Sequence, residues 1–335
     1  MSRPRRHLAL AAGAVVAALA LSGCVAGEGS SSEPAAASAD PAGTTINIDW
    51  ATYNPLSLIV KDQGWLEEAG YTVNWVQSLG SSKANEALRA GAIDFGSTAG
   101  SAALLARANG APQQIVDVVA QPEWSALVVP ADSEITSVED LKGKRVAAAL
   151  GTDPYFFLVQ ALEANGLSID DVTVENLLHP DGWAALQAGS VDAWSGLDPI
   201  MATAEAGGAQ LLYRDLDLNS YSVLNATESI ISDSPEVVQA VVDAYERARE
   251  WALANPEETA QILADAAVID LAVAQKVIEE REGLDVDPVP GEALANILAP
   301  IGVIQVSLGD VASQDAIDTA LETLFAPQFA ENAAG

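Results

Sequence analysis

The sequence predicts two similarly wound α/β lobes that face each other across a cleft. The stretch at residues 87–98 has a counterpart at 185–196, and each combines a helix end, a glycine, a short apolar strand with one aspartate and a small polar turn. A second pair of turns, at 50–55 and 150–154, precedes an apolar helix in each half. The matching order predicts two related lobes with four strand-to-helix turns at the cleft.

Strand and helix signals alternate along the chain as far as Ser232, after which the pattern is almost wholly helical. Alternating or β-branched runs predict strands, while proline or serine starts and glycine ends predict helices. The predicted strands are 46–50, 71–76, 114–120, 125–129, 145–150, 172–177 and 210–213. The predicted helices are 56–68, 82–90, 99–109, 154–165, 198–206, 235–254, 256–267, 271–280, 291–302 and 314–325.

Two candidate crossings between the lobes predict a discontinuous first lobe. One lies at the strand closed by Pro130 and the other within residues 221–232. We therefore assign 45–128 plus 229–330 to lobe 1 and 129–228 to lobe 2. The late helices are expected to pack on lobe 1. Two crossings predict a hinge rather than a single linker.

The N-terminus has the pattern of an export signal. A basic region precedes the apolar run from Leu8 to Leu21, which is shorter than the roughly 20 residues of a membrane-spanning helix. The run ends in Leu-Ser-Gly-Cys24, which resembles the lipobox of bacterial lipoproteins. We interpret residues 1–23 as a lipoprotein signal peptide, Cys24 as the lipidated residue and 24–44 as a flexible tether. A lipid-anchored protein on the outer face of the cell membrane is the expectation.

Composition excludes several functional classes. The formal charge of −32 argues against nucleic-acid binding. Cys24 is the only cysteine, and His179 is the only histidine after the predicted signal, which argues against Cys–His nucleophiles and against metal sites. His179 precedes a proline, and a solvated loop position is expected. Phosphate-binding glycine loops and Gly-x-Ser-x-Gly elbows are absent from the sequence. We expect neither an enzyme nor a cofactor.

The four turns supply the candidate ligand-binding residues. Helix N-termini offer free N–H groups that suit small anions. Aromatic residues crowd the same turns, and acids beside aromatic faces suit an amine. Three classes of ligand therefore remain possible on the sequence alone: an anion, a zwitterion, or a ring that bears amino groups. The candidates are Trp50, Tyr53, Asn54, Thr98, Ala99, Gly100, Ser101, Glu123, Trp124, Thr152, Asp153, Tyr155, Trp194, Asp198 and Glu228.

These motifs together resemble a known family of transport proteins. The residues that carry the resemblance are AGAIDFGST at 90–98, DLKGKRVA at 140–147 and AGSVDAW at 188–194 with Asp198-Pro199. In these three segments the chain is similar to the substrate-binding proteins of ABC importers for aliphatic sulfonates, taurine and nitrate. The wider superfamily includes binding proteins for thiamine-pyrimidine precursors.

The resemblance implies a type II periplasmic-binding-protein-like clamshell, with a mixed sheet flanked by helices in each lobe. It also implies that a monomer closes on a small ligand and delivers it to the permease and ATPase of an importer. The turns depart from the sulfonate-binding pattern, since Ala99-Gly100 replaces a common Gly-Asp and Asp153 would repel a sulfonate that it faced. An aliphatic sulfonate, or a related small sulfur or nitrogen compound, is the expected ligand. A heteroaromatic amine is the alternative, and an enzyme on the same fold is the alternative of a different class.

Overall fold

Two five-stranded sheets form the framework of the chain in a computed structural model that describes residue 41 and residues 43–333. The first sheet contains β1 (Thr45–Trp50), β2 (Thr72–Gln77), β3 (Phe95–Ala99), β4 (Gln113–Ala120) and β10 (Ser222–Thr227). The second contains β5 (Ser125–Val129), β6 (Arg145–Ala148), β7 (Thr173–Asn176), β8 (Ala193–Leu197) and β9 (Gln210–Tyr213). The strand orders are β2-β1-β3-β10-β4 and β7-β6-β8-β5-β9.

Each sheet has four strands that run in one direction and one inserted strand that runs against them. β10 pairs antiparallel with β3 and β4, and β5 pairs antiparallel with β8 and β9. The two orders are therefore equivalent position by position, and the predicted pair of mixed α/β sheets is confirmed. Both sheets belong to a single compact unit of the chain.

The strands that exchange sheets lie close to the two crossings. The chain passes to the second sheet over residues 121–124 and returns over residues 214–221. β5 therefore belongs to the second sheet and β10 to the first, although the predicted ranges 45–128 and 129–228 place them in the opposite lobes. Each strand was interpreted as part of a crossing, whereas it completes the sheet that it enters. We propose that the lobes divide at 121–124 and 214–221.

Fourteen α-helices flank the sheets in the described part of the chain. They are α1 (Pro55–Gln63), α2 (Trp65–Glu68), α3 (Ser81–Arg89), α4 (Gly100–Ala108), α5 (Asp153–Ala164), α6 (His179–Gln187), α7 (Ile200–Ala206), α8 (Glu228–Asp233), α9 (Pro235–Ala254), α10 (Pro256–Ala267), α11 (Leu271–Glu280), α12 (Glu292–Ser307), α13 (Gln314–Thr323) and α14 (Gln328–Ala333). The predicted helix at 56–68 is interrupted at Gly64, whose φ of 66° ends α1 in a left-handed turn.

The late helices pack mainly on the first sheet. The apolar face of α9, including Val238, Val241 and Tyr245, is buried against residues of β1, β3, β4 and β10. α12 and α13 contact α4 on the other side of that sheet. α11 also contacts α7 of the second lobe, so the helical region spans the two lobes. Across residues 43–333, no helix is both long and apolar enough to cross a bilayer.

The repeated stretches differ from the prediction in where their strands begin. β3 and β8 start after Asp94 and Asp192, and they include the polar residues that were expected beyond the strand ends. The Asp94 carboxylate accepts hydrogen bonds from the backbone N and the Nδ2 of Asn47, and that of Asp192 accepts from the backbone N of Arg145. Because these bonds join each entry turn to the neighbouring strand, both aspartates fix the start of a strand.

Candidate functional site

A cavity lies between the lobes at the carboxyl ends of parallel strands from both sheets. Its volume is about 50 Å³, and its lining residues follow β1, β2, β7 and β8. This is the edge at which open α/β sheets bind ligands. We call it the interlobe cavity, and its lining residues are Thr52, Tyr53, Ser78, Leu79, His179, Pro180, Leu197, Asp198, Pro199 and Ile200.

His179 is the buried basic group of this cavity. Its side chain is 2% exposed, and neither ring nitrogen has a hydrogen-bond partner. The ring faces lobe 1, since a Cβ atom at Gly80 would lie 3.1 Å from Nε2. Burial lowers the pKa of His179 from 6.5 to about 4, so the ring is neutral at physiological pH. The expected solvated position of His179 is wrong, because the first turn of α6 carries the ring into the interface.

Asp198 supplies the carboxylate at the cavity wall, and this carboxylate forms an ion pair with Arg281. Arg281, which follows α11, lies 3.2 Å from Asp198 and also binds Glu205 of α7. The Asp198 carboxylate accepts a further hydrogen bond from the backbone N of Ala202. Burial raises the pKa of Asp198 to about 6, although Arg281 opposes the shift. The charge of this acid is therefore largely satisfied by protein groups.

A second polar contact joins the lobes around Asp153. We call Ser101, Trp124, Asp153 and Ser220 the Asp153 cluster. The carboxylate accepts from Ser101 Oγ at 2.7 Å, Trp124 Nε1 at 2.8 Å, Ser220 N at 2.8 Å and Ser220 Oγ at 2.7 Å. Trp124 and Ser220 lie on the two crossings, and Ser101 lies on α4. Asp153 therefore links α5 to lobe 1 and to both crossings.

Burial raises the pKa of Asp153, against the opposing hydrogen bonds from Ser101, Ser220 and Trp124. Both carboxylate oxygens are engaged by protein donors at these distances. The repulsion of a sulfonate expected from Asp153 therefore does not arise in this arrangement, because the side chain turns into the protein interface.

Tyr53 lines the lobe 1 side of the interlobe cavity, and Asn54 is buried behind it. Tyr53 donates to the carbonyl of Ser97 at 3.1 Å, and its ring meets Trp124 edge to face with centroids 6.2 Å apart. Asn54 Nδ2 donates to Ser97 Oγ at 2.8 Å, and Ser97 Oγ donates to Asp49. Burial raises the pKa of Asp49 to about 7. This network holds the turn after β1 against β3.

Several other predicted residues are buried beside the cleft without lining the interlobe cavity. Asn225 Nδ2 donates to Thr98 Oγ1 within the first sheet, and the backbone N of Gly100 donates to the Tyr221 carbonyl. The backbone N of Ala99 donates to Ser81 Oγ, and Thr152 Oγ1 donates to the Ala149 carbonyl.

The predicted aromatic residues of lobe 2 are core residues in the structure. Tyr155 packs against Phe156, and Trp194 packs against Trp183 with ring centroids 6.0 Å apart. Gly182 permits this packing, since a Cβ atom there would lie 2.7 Å from the Trp194 Nε1. Of the predicted site residues, the interlobe cavity brings together Tyr53 and Asp198.

Three predicted residues lie away from the interlobe cavity. Trp50 contacts Lys61, whose Nζ is 5.3 Å from the ring centroid, and lines a different depression against α10. Glu123 pairs with Arg214 on the second crossing. Glu228 pairs with Arg107 at 2.6 Å. Cys24 lies outside the described residues.

Sequence reasoning missed most of the cavity wall. Ser78 and Leu79 follow β2, and His179 and Pro180 follow β7, but no repeat or special motif marks these positions. The available signal was the general rule that ligands lie beyond the carboxyl ends of parallel strands. Applied to all parallel strands rather than to the repeated stretches, that rule identifies the turns after β2 and β7.

A larger depression of about 470 Å³ lies among α3, α4 and the Gly151 turn. Its wall includes Arg89 and Asp310, and most of its residues belong to the sides of helices. We favour the smaller interlobe cavity because strand ends of both sheets converge on it. Within the described residues, His, Asp and Glu side chains form no group of three that could hold a metal ion.

Comparison with known proteins agrees with this architecture. A family model described as NMT1/THI5 like matches residues 56–259. The chain is 30% identical over 226 residues to an Escherichia coli (strain K12) protein named for binding aliphatic sulfonates, covering 67% of this chain and 71% of that protein. A Bacillus subtilis (strain 168) protein of the same name is 29% identical over 236 residues, covering 68% and 71%.

Solved structures share the fold at lower identity. The alkanesulfonate-binding protein SsuA of Xanthomonas axonopodis pv. citri, bound to MOPS, superposes with a TM-score of 0.77 at 24% identity and covers 83% of this chain and 98% of its own. The desulfurization enzyme DSZB superposes with a TM-score of 0.66 at 18% identity, covering 87% and 99%. The same fold therefore occurs in binding proteins and in an enzyme.

Proposed function

The chain belongs to the NMT1/THI5-like family, and on that premise we propose that it is an extracytoplasmic solute-binding protein of an ABC importer. It captures a small ligand between its lobes and presents the closed form to a membrane permease. Ligand binding in such a protein shifts the population from open to closed forms. The observation that carries the proposal is the interlobe cavity, which is lined by turns at parallel strand ends of both sheets.

The ligand that we propose is an aliphatic sulfonate or a related small sulfur or nitrogen compound. The relatives named for binding aliphatic sulfonates support this class. The chemistry of the wall agrees, since Asp198 is paired with Arg281 and Asp153 is turned into its own cluster. An anion entering the cleft therefore meets no unpaired carboxylate among the lining residues described.

A heteroaromatic amine remains the alternative ligand. Such a ligand requires an acceptor or a free acid in the cavity, and the neutral ring of His179 can accept one hydrogen bond. The acids that suggested an amine are committed to Arg281, to Arg214 and to the Asp153 cluster. Because these acids are already paired, an amine ligand would find fewer hydrogen-bond and ion-pair partners in the cavity than an anion would.

An enzyme on this fold is the alternative of a different class. Nucleophilic catalysis requires a nucleophile within hydrogen-bond reach of a base. His179 is the imidazole of the cavity, and neither of its nitrogens is hydrogen-bonded to a hydroxyl group or to any other protein group. We therefore favour capture and delivery of a ligand over its chemical conversion.

We also propose that Cys24 anchors the protein to the outer face of the membrane through a lipid. The proposal comes from the Leu-Ser-Gly-Cys24 pattern after an apolar run. Expression in a bacterial host of the natural chain and of Cys24→Ser tests it, followed by fractionation. The natural chain is expected in the membrane fraction, and membrane retention of C24S would contradict the anchor.

A thermal-unfolding screen tests the class of ligand. The panel contains ethanesulfonate, hexanesulfonate, taurine, nitrate and an aminopyrimidine. A ligand at a hundredfold excess over its Kd stabilises the folded protein by about 2.7 kcal/mol, which raises Tm measurably. A rise with sulfonates supports the proposed ligand, whereas a rise only with the aminopyrimidine overturns it. No rise with any compound would argue against solute binding of these classes.

A further inference from the structure

We propose that His179 is the ligand-contacting residue that selects an anionic head group in the interlobe cavity. This inference rests on the proposed function and names a specificity residue for it. The geometry that carries the inference is the burial of an imidazole whose two nitrogens have no protein partner, at a wall shared by both lobes.

Among the residues that line the interlobe cavity, only His179 has buried side-chain polar atoms without a hydrogen-bond partner. Outside that lining, Trp194 Nε1, Arg281 Nε and Glu282 Oε1 are also buried without a partner. Burying a polar group without a hydrogen bond costs about 1–3 kcal/mol in proteins, so native structures generally satisfy such groups. Asp153 and Asp198 follow this rule through protein donors. His179 lines a cavity that is larger than the 10–15 Å³ needed for a water molecule. A group that enters this cavity can reach the ring.

The surroundings of the ring favour an anion over a cation. His179 is the first residue of α6, a nine-residue helix whose N-terminus carries partial positive charge. The facing segment at residues 78–80 of lobe 1 contains no charged side chain, although Ser78 is hydrogen-bonded to the buried Asp49. The carboxylate that lines the cavity, Asp198, is paired with Arg281. A neutral imidazole donates one hydrogen bond, and a protonated imidazole donates two. An oxyanion such as a sulfonate can accept both.

Proton uptake by the ring therefore accompanies binding of an anion. Burial lowers the pKa of His179 to about 4 in the unliganded protein, and a neighbouring anion raises it again. Affinity for a sulfonate should then increase as the pH falls toward 5. A neutral heteroaromatic ligand gives the opposite trend, because protonation removes the acceptor nitrogen.

Other titratable groups near the cavity also change charge between pH 8 and pH 5 or carry charge beside it. Burial raises the pKa of Asp49, which is hydrogen-bonded to the lining residue Ser78, to about 7, and burial and Asp198 raise the pKa of Glu282. Asp198 lines the same cavity and also titrates, since burial raises its pKa to about 6. Arg145 starts β6 and is paired with Asp192, while Glu205 on α7 is paired with Lys276 and Arg281. Asp181 lies exposed on α6 itself. The role of His179 is therefore measured as a difference between the natural chain and a variant.

The test is calorimetric titration of hexanesulfonate into the natural chain, His179→Gln and Asp181→Asn at pH 8 and pH 5. Glutamine keeps a hydrogen-bond donor but does not titrate, and D181N controls for a charge change on the same helix. The natural chain and D181N are expected to bind about tenfold more tightly at pH 5 than at pH 8. H179Q should lose most of this increase in affinity, and at pH 5 it should bind hexanesulfonate more weakly than the natural chain does.

The two proposals fail in different ways. If neither hexanesulfonate nor the shorter ethanesulfonate binds the natural chain at either pH, the proposed ligand class is wrong. If the natural chain binds hexanesulfonate and H179Q binds it with the same affinity and pH dependence, the role of His179 is wrong. Nitrogen-15 NMR of the imidazoles provides a measurement that needs no folded variant. Saturation with hexanesulfonate is expected to shift the His179 ring nitrogens, and unchanged resonances would overturn the inference.

Discussion

The Asp153 cluster and the environment of His179 are both buried polar contacts between the lobes, but they differ in how their hydrogen bonds are satisfied. Asp153 accepts four hydrogen bonds from Ser101, Trp124 and Ser220. His179 has none with the protein. The two residues therefore have different roles. The satisfied Asp153 carboxylate stabilises a particular arrangement of the lobes, whereas the unsatisfied His179 imidazole is available to a ligand.

The largest effect is expected from breaking the satisfied cluster. Asp153→Ala leaves the side-chain donors of Ser101, Trp124 and Ser220 buried without their acceptor. Unsatisfied buried groups cost about 1–3 kcal/mol each, so we expect a loss of about 3–5 kcal/mol in the free energy of unfolding. Urea unfolding measures it. Asp181→Ala on the exposed side of α6 is the control, and an equal loss in that control would contradict the assignment.

The pH dependence of stability tests the burial of His179 without any ligand. The unfolded state binds a proton near pH 6.5 and the folded state only near pH 4, so the unfolded state binds more protons between these values. Stability of the natural chain should therefore fall as the pH drops from 6.5 to 4, by about 3 kcal/mol from this group.

Urea unfolding of H179Q over the same pH range isolates that contribution. Glutamine does not titrate, so the fall should be shallower by about 3 kcal/mol, and the acids contribute equally to both proteins. Identical pH profiles for the two proteins would show that His179 is solvated, as sequence reasoning alone suggested.

A smaller effect is expected when one donor is removed from the Asp153 cluster. Ser101→Ala deletes the Oγ that lies 2.7 Å from Asp153 and leaves the Trp124 and Ser220 bonds in place. A single hydrogen bond of this kind contributes about 1–3 kcal/mol, so S101A should lose less stability than D153A. Combining S101A with D153A should cost less than the sum of the two single changes. Additive losses would mean that the two side chains act independently.

Sequence patterns anticipated the fold more fully than the site. The repeated stretches at 87–98 and 185–196 do occupy equivalent positions, because Asp94 and Asp192 each join an entry turn to the neighbouring strand. Local turn chemistry of this kind is visible in sequence. The exchange of β5 and β10 was not visible, because it depends on pairing between strands that are far apart in the chain.

The candidate site depended on contacts that no local pattern encodes. Aromatic residues such as Trp194 and Tyr155 looked like cleft residues, yet they fill the lobe 2 core. Asp153 looked like a free acid, yet its partners come from α4 and from both crossings. His179 looked like a solvated residue until Gly80 of the other lobe was placed against it. Burial between lobes follows from tertiary geometry rather than from residue type.

A crystal structure of the chain with hexanesulfonate would locate the bound ligand directly. We expect one sulfonate group between the lobes, within hydrogen-bond distance of a His179 ring nitrogen and bordered by the turns at 52–53, 78–79 and 197–200. The same complex should leave the Asp153 carboxylate bonded to Ser101 and Trp124. A sulfonate bound instead in the larger depression beside Arg89 and Gly151 would contradict the assignment of the interlobe cavity as the binding site.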